Sequence, residues 1–197
     1  MKPLDFVIVG VGGQGILLAS DVICQVGVAM GYDVKKTDVH GMAQRGGSVV
    51  SHVRMADEVH SPVVATGAAR YLLAFEKLEA CRWAGFLRCD GIAVVNDEKI
   101  PTLALASSSP AMYPDEDTIA HVLATHAAQV AVVPAARVAA ELGYPRVANV
   151  VLLGSLSHYL ETPADTWQHA LEARIPARFL ELNLRAFELG RQAAAGD

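Results

Sequence analysis

The sequence predicts an α/β fold: a three-layer α/β/α sandwich around a largely parallel, Rossmann-like mixed sheet, built as a single domain from residues 1–197. Three observations carry this expectation. Short apolar runs ended by glycine or a polar residue, such as FVIVG (Phe6–Gly10) and GIAVVND (Gly91–Asp97), have the length and continuity of strands buried on both faces. They alternate with longer segments whose apolar residues recur at helical spacing. The first run also passes through a glycine loop, GVGGQG (Gly10–Gly15), straight into a helical pattern.

Taken in order, Ile16, Ala19, Ile23, Val26 and Met30 mark the first helix, and Gly31 is its natural stop. Leu18, Val22 and Val28 make that helix apolar nearly all round, so it is expected to be covered on several sides. YDVKKTDVH (Tyr32–His40) reads as a second strand and the alternating SVVSHVRMA (Ser48–Ala56) as a third. YLLAF (Tyr71–Phe75) is strand-like and leads into a helix over EKLEACRWAG, followed by the strand GIAVVND. LASSSPAMYPDED is loop by composition, and either Asp115 or Asp117 can cap a helix over TIAHVLATHA. QVAVVP is the next strand; Pro134 fits the first turn of PAARVAAELG, which Gly143 ends. The length of VANVVLLGSLSHYL and the spacing of Val150, Leu153, Ser157 and Leu160 favour helix. The closing helices, residues 163–191, begin with Thr162 as N-cap and Pro163 at the first helical position, break at Pro176, and resume over ARFLELNLRAFELG. The tail RQAAAGD is expected to fray.

Composition narrows the function. Hydrophobic residues make up 52% of the 197 and charged residues 19%, with a mean hydropathy of +0.30. A chain of this size buries roughly 70% of its unfolded surface. The apolar surplus fits either an alanine-rich core or a protein that hides surface against a partner. Sixteen basic against 21 acidic residues give a net charge of -5, with no Lys/Arg cluster, which argues against nucleic acid. The first residues interrupt any apolar stretch with charge and glycine, so no signal peptide is expected. No run approaches the ~20 apolar residues of a membrane span, and a cytoplasmic protein is expected. Cys24, Cys81 and Cys89 are odd in number and widely spaced, without a Cys-x-x-Cys pair. Disulfides, and iron–sulfur ligation by this chain alone, are disfavoured.

Two glycine loops carry the functional question. Gly10, Gly12 and Gly15 match G-x-G-x-x-G in the right context, where backbone N–H groups opening a helix can hold a phosphate. Asp38 is placed to grip a ribose, although similar loops also serve strand-to-helix turns that bind only neighbouring protein. A Walker A loop is excluded, since Ile16 and Leu17 stand where Lys and Ser/Thr are required. The second loop, HGMAQRGGS (His40–Ser48), offers Arg45 as a planar fork for carboxylate or phosphate, Gln44 as a polar amide, and Gly46 and Gly47 for close backbone approach. The plain alternative is a flexible hairpin with Arg45 solvated. Both loops end neighbouring strands, which would put them on one rim of the sheet, where α/β proteins gather ligands. His40, His52 and His60 lack metal-ligand spacing and read as ordinary histidines. Ser48 lacks the G-x-S-x-G of a nucleophile turn, and CDGIAVVND (Cys89–Asp97) departs from a thiamine pyrophosphate motif at Cys89 and by the early Asn96. Trp83 and Trp167 suit core packing or an interface.

VGVGGQGILLAS, DVHGMAQRGGSVVSHVR, ANVVLLGSL and ARFLELNLRAFELG together resemble the gamma subunit or domain of 2-oxoacid:ferredoxin oxidoreductases; HGMAQRGGSV is most similar to the small (beta) subunit of indolepyruvate ferredoxin oxidoreductase. The resemblance runs from about Phe6 to Gly190. It implies a subunit of an enzyme that decarboxylates a 2-oxoacid oxidatively, forms an acyl-coenzyme A and reduces ferredoxin. Thiamine pyrophosphate, magnesium and iron–sulfur clusters would then lie in a large (alpha) subunit, with this chain beside them and coenzyme A shared. Gly10, Gly12, Gly13, Gln14 and Gly15 match the family's first loop, and Gly41 through Ser48 the second. Neither supplies acid–base catalysts. Gln44, Arg45, Gly46 and Gly47 would face the large subunit or touch coenzyme A phosphates, and a chain isolated from its partner could pair as a homodimer. The competing expectation is a stand-alone NAD(P)- or flavin-dependent oxidoreductase using GVGGQG.

Overall fold

The computed structural model describes residues 1–40, 47–100 and 113–195. Six strands form one sheet: β1 (Leu4–Val11), β2 (Asp33–His40), β3 (Ser48–Ala56), β4 (Ala69–Ala74), β5 (Leu87–Asn96) and β6 (Gln129–Val133), in the order β2-β3-β1-β4-β5-β6. Helices α1 (Ile16–Ala29), α2 (Lys77–Trp83), α3 (Glu116–His126), α4 (Ala135–Glu141), α5 (Ala148–His158), α6 (Ala164–Glu172) and α7 (Ala177–Ala195) cover it. None of the described helices is long and apolar enough to cross a membrane.

Strand alternation builds two cores. Phe6 and Ile8 of β1 and Ile92 and Val94 of β5 face α1 and α4–α7, whereas Val7, Val9, Ala93 and Val95 face α2 and α3. The expected three layers follow. β1, β4, β5 and β6 pair in parallel, while β3 runs antiparallel to both β1 and β2. Seven residues between β2 and β3 are too few for a parallel crossover, which needs a dozen or more. The segment is therefore a hairpin, and the sheet is mixed.

Three local expectations change. Thr162 does not cap α6: Pro163 occupies the N-cap at φ -56 and ψ 142, and the Thr162 hydroxyl turns to Met30 Sδ at 3.2 Å. Pro134 likewise stands one residue before α4, as its N-cap. The last helix does not stop at Gly190 but continues to Ala195, with Ala194 buried, so the tail is helical as far as it is described. α1 is covered by the sheet, α5 and α6, but Val28 is 61% exposed. Asp115, not Asp117, caps α3, accepting from Thr118 N at 2.8 Å. Of the expected loop 105–117, residues 105–112 lie outside the described residues, as do Gly196 and Asp197.

Gly190 lies inside α7, where α5 and α7 cross at backbone contact. These positions are glycine because of that contact: a Cβ on Gly154 would lie 2.0 Å from Phe187 O, and one on Gly190 would lie 2.0 Å from Val151 O. Ser155 Oγ completes the crossing by donating to Gly190 O at 2.9 Å. Every residue from Asn149 to Ser157 is buried, so α5 has nowhere to retreat. Gly154→Ala or Gly190→Ala is expected to destabilise the chain by about 2–3 kcal/mol, the range for overpacking a rigid core. Urea midpoints check this; a shift within error would mean that the helices can separate freely.

Candidate functional site

The carboxyl ends of β1, β2, β4, β5 and β6 and the start of β3 share one rim. There Gly12 N–H donates to Gly47 O at 2.8 Å, so the two glycine loops are tied together at their roots. Gln44, Arg45 and Gly46 of the second loop lie outside the described residues, as does Gly41. Gly10 is the penultimate residue of β1 and is buried. Gly15 is the N-cap of α1 at φ 84, a left-handed conformation that glycine adopts without strain. It also lies beneath Asn149 at the start of α5, whose Nδ2 would sit 2.4 Å from any Cβ added there. Among the described residues no side chain caps α1, and none stands within 4 Å of the Cβ position of Gly13. An open loop leading to an uncapped 14-residue helix fits a phosphate or another anion, because the first-turn N–H groups have no intrahelical acceptors.

Gln14 has a different role from its neighbours. Its Oε1 accepts from Val11 N at 2.7 Å, while Nε2 donates to Phe75 O at 2.9 Å and to Glu98 Oε2 at 3.4 Å. The side chain thus folds inward and staples the ends of β1 and β4.

The segment FEKLE (Phe75–Glu79), read from sequence only as a strand end and helix start, organises this rim. Glu76 is 1% exposed; it caps α2 by accepting from Glu79 N at 2.9 Å, and its other oxygen accepts from Ile100 N at 3.1 Å and from the Tyr113 hydroxyl. Glu79, with no exposed surface, accepts from Ser48 Oγ at 2.6 Å and pairs with Arg82 at 2.5 Å. Lys77 is held by Asp97 at 2.5 Å and Glu116 at 2.9 Å. Burial alone would lower the Lys77 pKa, but those two partners outweigh it and raise it. The only hint of this hub in the sequence is the density of charge beside an apolar strand, a pattern shared with any surface helix.

The rim carries little chemistry. Ser48 serves Glu79, and Lys77 is locked as a cation. His52 is buried and accepts from Val64 N at 3.4 Å; burial lowers its pKa, and its ring packs edge-on against Trp83 and Phe86. His60 is exposed, while for His40 only the strand position is described. Burial pushes the Cys24 thiol up to about 11 and raises Cys81 as well, so neither is a ready thiolate. Among the described residues no group of His, Cys, Asp and Glu could hold a metal ion. Trp167 is buried against Phe187 as a core residue.

Asp38 is not brought beside the first loop. β3 lies between β2 and β1, so Asp38 is two strand spacings, roughly 10 Å, from β1. Its carboxylate accepts from Ser51 Oγ at 2.5 Å and pairs with Lys36 at 3.0 Å. The acidic residue that a dinucleotide site places next to its glycine loop is thus displaced and occupied.

Burial pushes the Glu98 carboxyl above its ordinary 4.5; the Gln14 bond opposes this, the Glu76 charge adds to it, and the Asn96 bond opposes it. The folded state therefore holds the proton more tightly than the unfolded chain. The stability this contributes is complete below about pH 4.5 and is lost as pH rises through the raised value. Glu98→Gln removes the linkage, so its urea midpoint relative to wild type is expected to climb over that window and then level off. A difference constant from pH 4 to 8 would show that Glu98 titrates normally.

The sequence profile of the Pyruvate ferredoxin/flavodoxin oxidoreductase family matches residues 5–193. The indolepyruvate oxidoreductase subunit IorB of Thermococcus kodakarensis is 36% identical over 197 aligned residues, covering 98% of this chain and 97% of its own. That of Archaeoglobus fulgidus is 36% identical over 196, covering 98% and 96%. Among solved structures, the gamma subunit of keto/oxoacid ferredoxin oxidoreductase from Geobacter sulfurreducens superposes with a TM-score of 0.72 at 21% identity, covering 98% of this chain and 99% of that one. The 2-oxoglutarate:ferredoxin oxidoreductase of Magnetococcus marinus, solved with 2-oxoglutarate, coenzyme A and succinyl-CoA bound, gives 0.75 at 20% identity, covering all of this chain and 32% of that one. At these identities the two structures share the fold with this chain.

Proposed function

This chain belongs to the pyruvate ferredoxin/flavodoxin oxidoreductase family, and from that premise we propose that it is the small subunit of a cytoplasmic 2-oxoacid:ferredoxin oxidoreductase acting on an aryl pyruvate such as indolepyruvate. Residues 1–197 act as one gamma-type domain. Thiamine pyrophosphate, magnesium and iron–sulfur clusters, held by the large subunit, supply the decarboxylation and the electron path to ferredoxin. This chain supplies a wall.

The observation that carries the reading is the rim itself: two glycine loops joined at Gly12 and Gly47, with no free acid, base or nucleophile among the described residues around them. Such a surface can approach a ligand or partner backbone closely and exclude water, but it cannot move a proton. Exposed apolar side chains flank it: Leu17 in the first turn of α1, and Val39 and Val132 near the ends of β2 and β6. Those residues suit burial under a large subunit. Gly12, Gly13 and the uncapped start of α1 suit a phosphate of coenzyme A lying between the two chains. In this reading Gln44, Arg45, Gly46 and Gly47 meet the large subunit or the coenzyme A phosphates.

Co-expression with the large subunit should yield a stoichiometric complex that reduces ferredoxin or viologen with aryl pyruvates and coenzyme A. The isolated chain should do neither that nor bind NAD(P)H or flavin, and a chain that does so alone would overturn the reading. Within the complex, Arg45→Ala is expected to raise the coenzyme A KM about ten-fold or to weaken subunit association comparably, the effect of losing one charge-assisted hydrogen bond of about 1.5 kcal/mol. Unchanged kinetics and assembly would remove the second loop from the contact.

A further inference from the structure

Gln14 reaches across the rim to two residues outside both glycine loops. Asn96, the last residue of β5, donates from Nδ2 to Phe75 O at 3.2 Å and to Glu98 Oε2 at 2.9 Å. Gln14 Nε2 donates to the same two oxygens. Two amides and two acceptors therefore form a closed set joining β1, β4 and β5. Asn96 is buried, and among the described residues its Oδ1 has no hydrogen-bond partner. A buried carbonyl oxygen without a donor destabilises the fold. If Asn96 only filled space, an apolar side chain would fill it better; its amide is held in this orientation by Phe75 O and the Glu98 carboxylate. Gly10 leaves the room this requires, since a Cβ there would lie 2.7 Å from Gln14 Oε1 and 2.7 Å from Phe75 Cβ.

We propose that Asn96 and Glu98 are positioning residues for the reaction: acting through Gln14, they fix the path of the Gly12–Gly15 loop and hence the surface that meets coenzyme A and the large subunit. This rests on the reading that the rim is that surface. Neither residue touches the ligand. Without Glu98, Gln14 Nε2 keeps Phe75 O alone and the amide can turn, which releases Val11 N and the start of the loop. A neutral glutamine at 98 retains an oxygen for both donors.

The test compares Glu98→Ala, Glu98→Gln and Asn96→Leu in the co-expressed complex, with Gly13→Asp as a probe of the loop face. Among the described residues nothing crowds Gly13; its φ of 107 strains any side chain, and Asp bears positive φ better than most. Glu98→Ala and Asn96→Leu are expected to raise the coenzyme A KM, or weaken association, about five-fold, the scale of one neutral hydrogen bond, with kcat changed less than about two-fold. Amide exchange at Gly12–Ile16 should speed up in the same variants, and Glu98→Gln should restore both readouts. If Gly13→Asp impairs coenzyme A use or assembly while Glu98→Ala changes neither KM nor exchange, the inference falls and the reading of the rim stands. If Gly13→Asp is silent too, the rim is not the contact surface, and the reading and the inference fall together. Asn96→Leu also separates positioning from stability: a protein more resistant to urea yet poorer in KM supports positioning, whereas one unchanged in KM overturns it for Asn96.

Discussion

Two carboxylates almost without solvent, Glu76 and Glu79, set the geometry on which the rim depends. An ionised carboxylate in the interior is costly unless donors surround it, so each one fixes whatever supplies those donors. Glu79 has Arg82 as a counter-charge and Ser48 as a neutral donor. No cation pairs with Glu76 among the described contacts; it is held by two backbone N–H groups and the Tyr113 hydroxyl. Besides α2 itself, those donors come from the root of the second glycine loop, the stretch after β5 and the approach to α3. One helical turn thereby ties three chain segments together at the rim. Removing either carboxylate would leave donors buried without acceptors, a larger loss than the net value of the bonds themselves.

The hairpin explains why a nucleotide-binding pattern can be present without a complete nucleotide site. A strand, a G-x-G-x-x-G loop and a helix are the first half of a dinucleotide unit. The second half needs the next strand beside the first. Here the short β2–β3 connection forces antiparallel pairing and inserts β3 between them. Asp38 moves one strand outward and meets Lys36 and Ser51, whereas the second glycine loop takes its place at the end of β1, bonded through Gly47 O. The same swap that removes a ribose grip brings Gly47 against Gly12.

Most of the fold was legible because it rests on periodicity. FVIVG and GIAVVND show as buried strands since both their faces are covered, and α5 could be told from a strand only by its length and spacing. Legibility fails where a residue's role is set by distant partners. Thr162 and Gly190 look like a cap and a stop, but Thr162 is drawn to Met30 from 132 residues away and Gly190 is needed for the approach of Val151. Gln14 belonged to the recognised loop, yet its inward fold depends on Phe75 and Glu98, 61 and 84 residues on. Glu76, Glu79 and Asn96 carried no motif. Their burial becomes visible only once the strands that bring them together are placed.

The distribution of apolar surface separates what the chain needs for itself from what it offers. Its two cores absorb nearly all of α5, both faces of β1 and β5, and the inner faces of α1 and α7, so the high hydrophobic content is first of all internal. What remains outside is uneven. The β2 edge is guarded by Asp33, Lys35, Lys36 and Asp38, charges that discourage pairing with another strand. The β6 edge, QVAVV, carries none, and Val132 stands exposed on it. The β6 edge is thus less protected against pairing with another chain than the β2 edge is. The uncharged edge lies on the side where α3 and the FEKLE hub meet the rim. The asymmetry follows from where the chain spends its few charges: inside the rim to fix its loops and along β2 to keep that edge single.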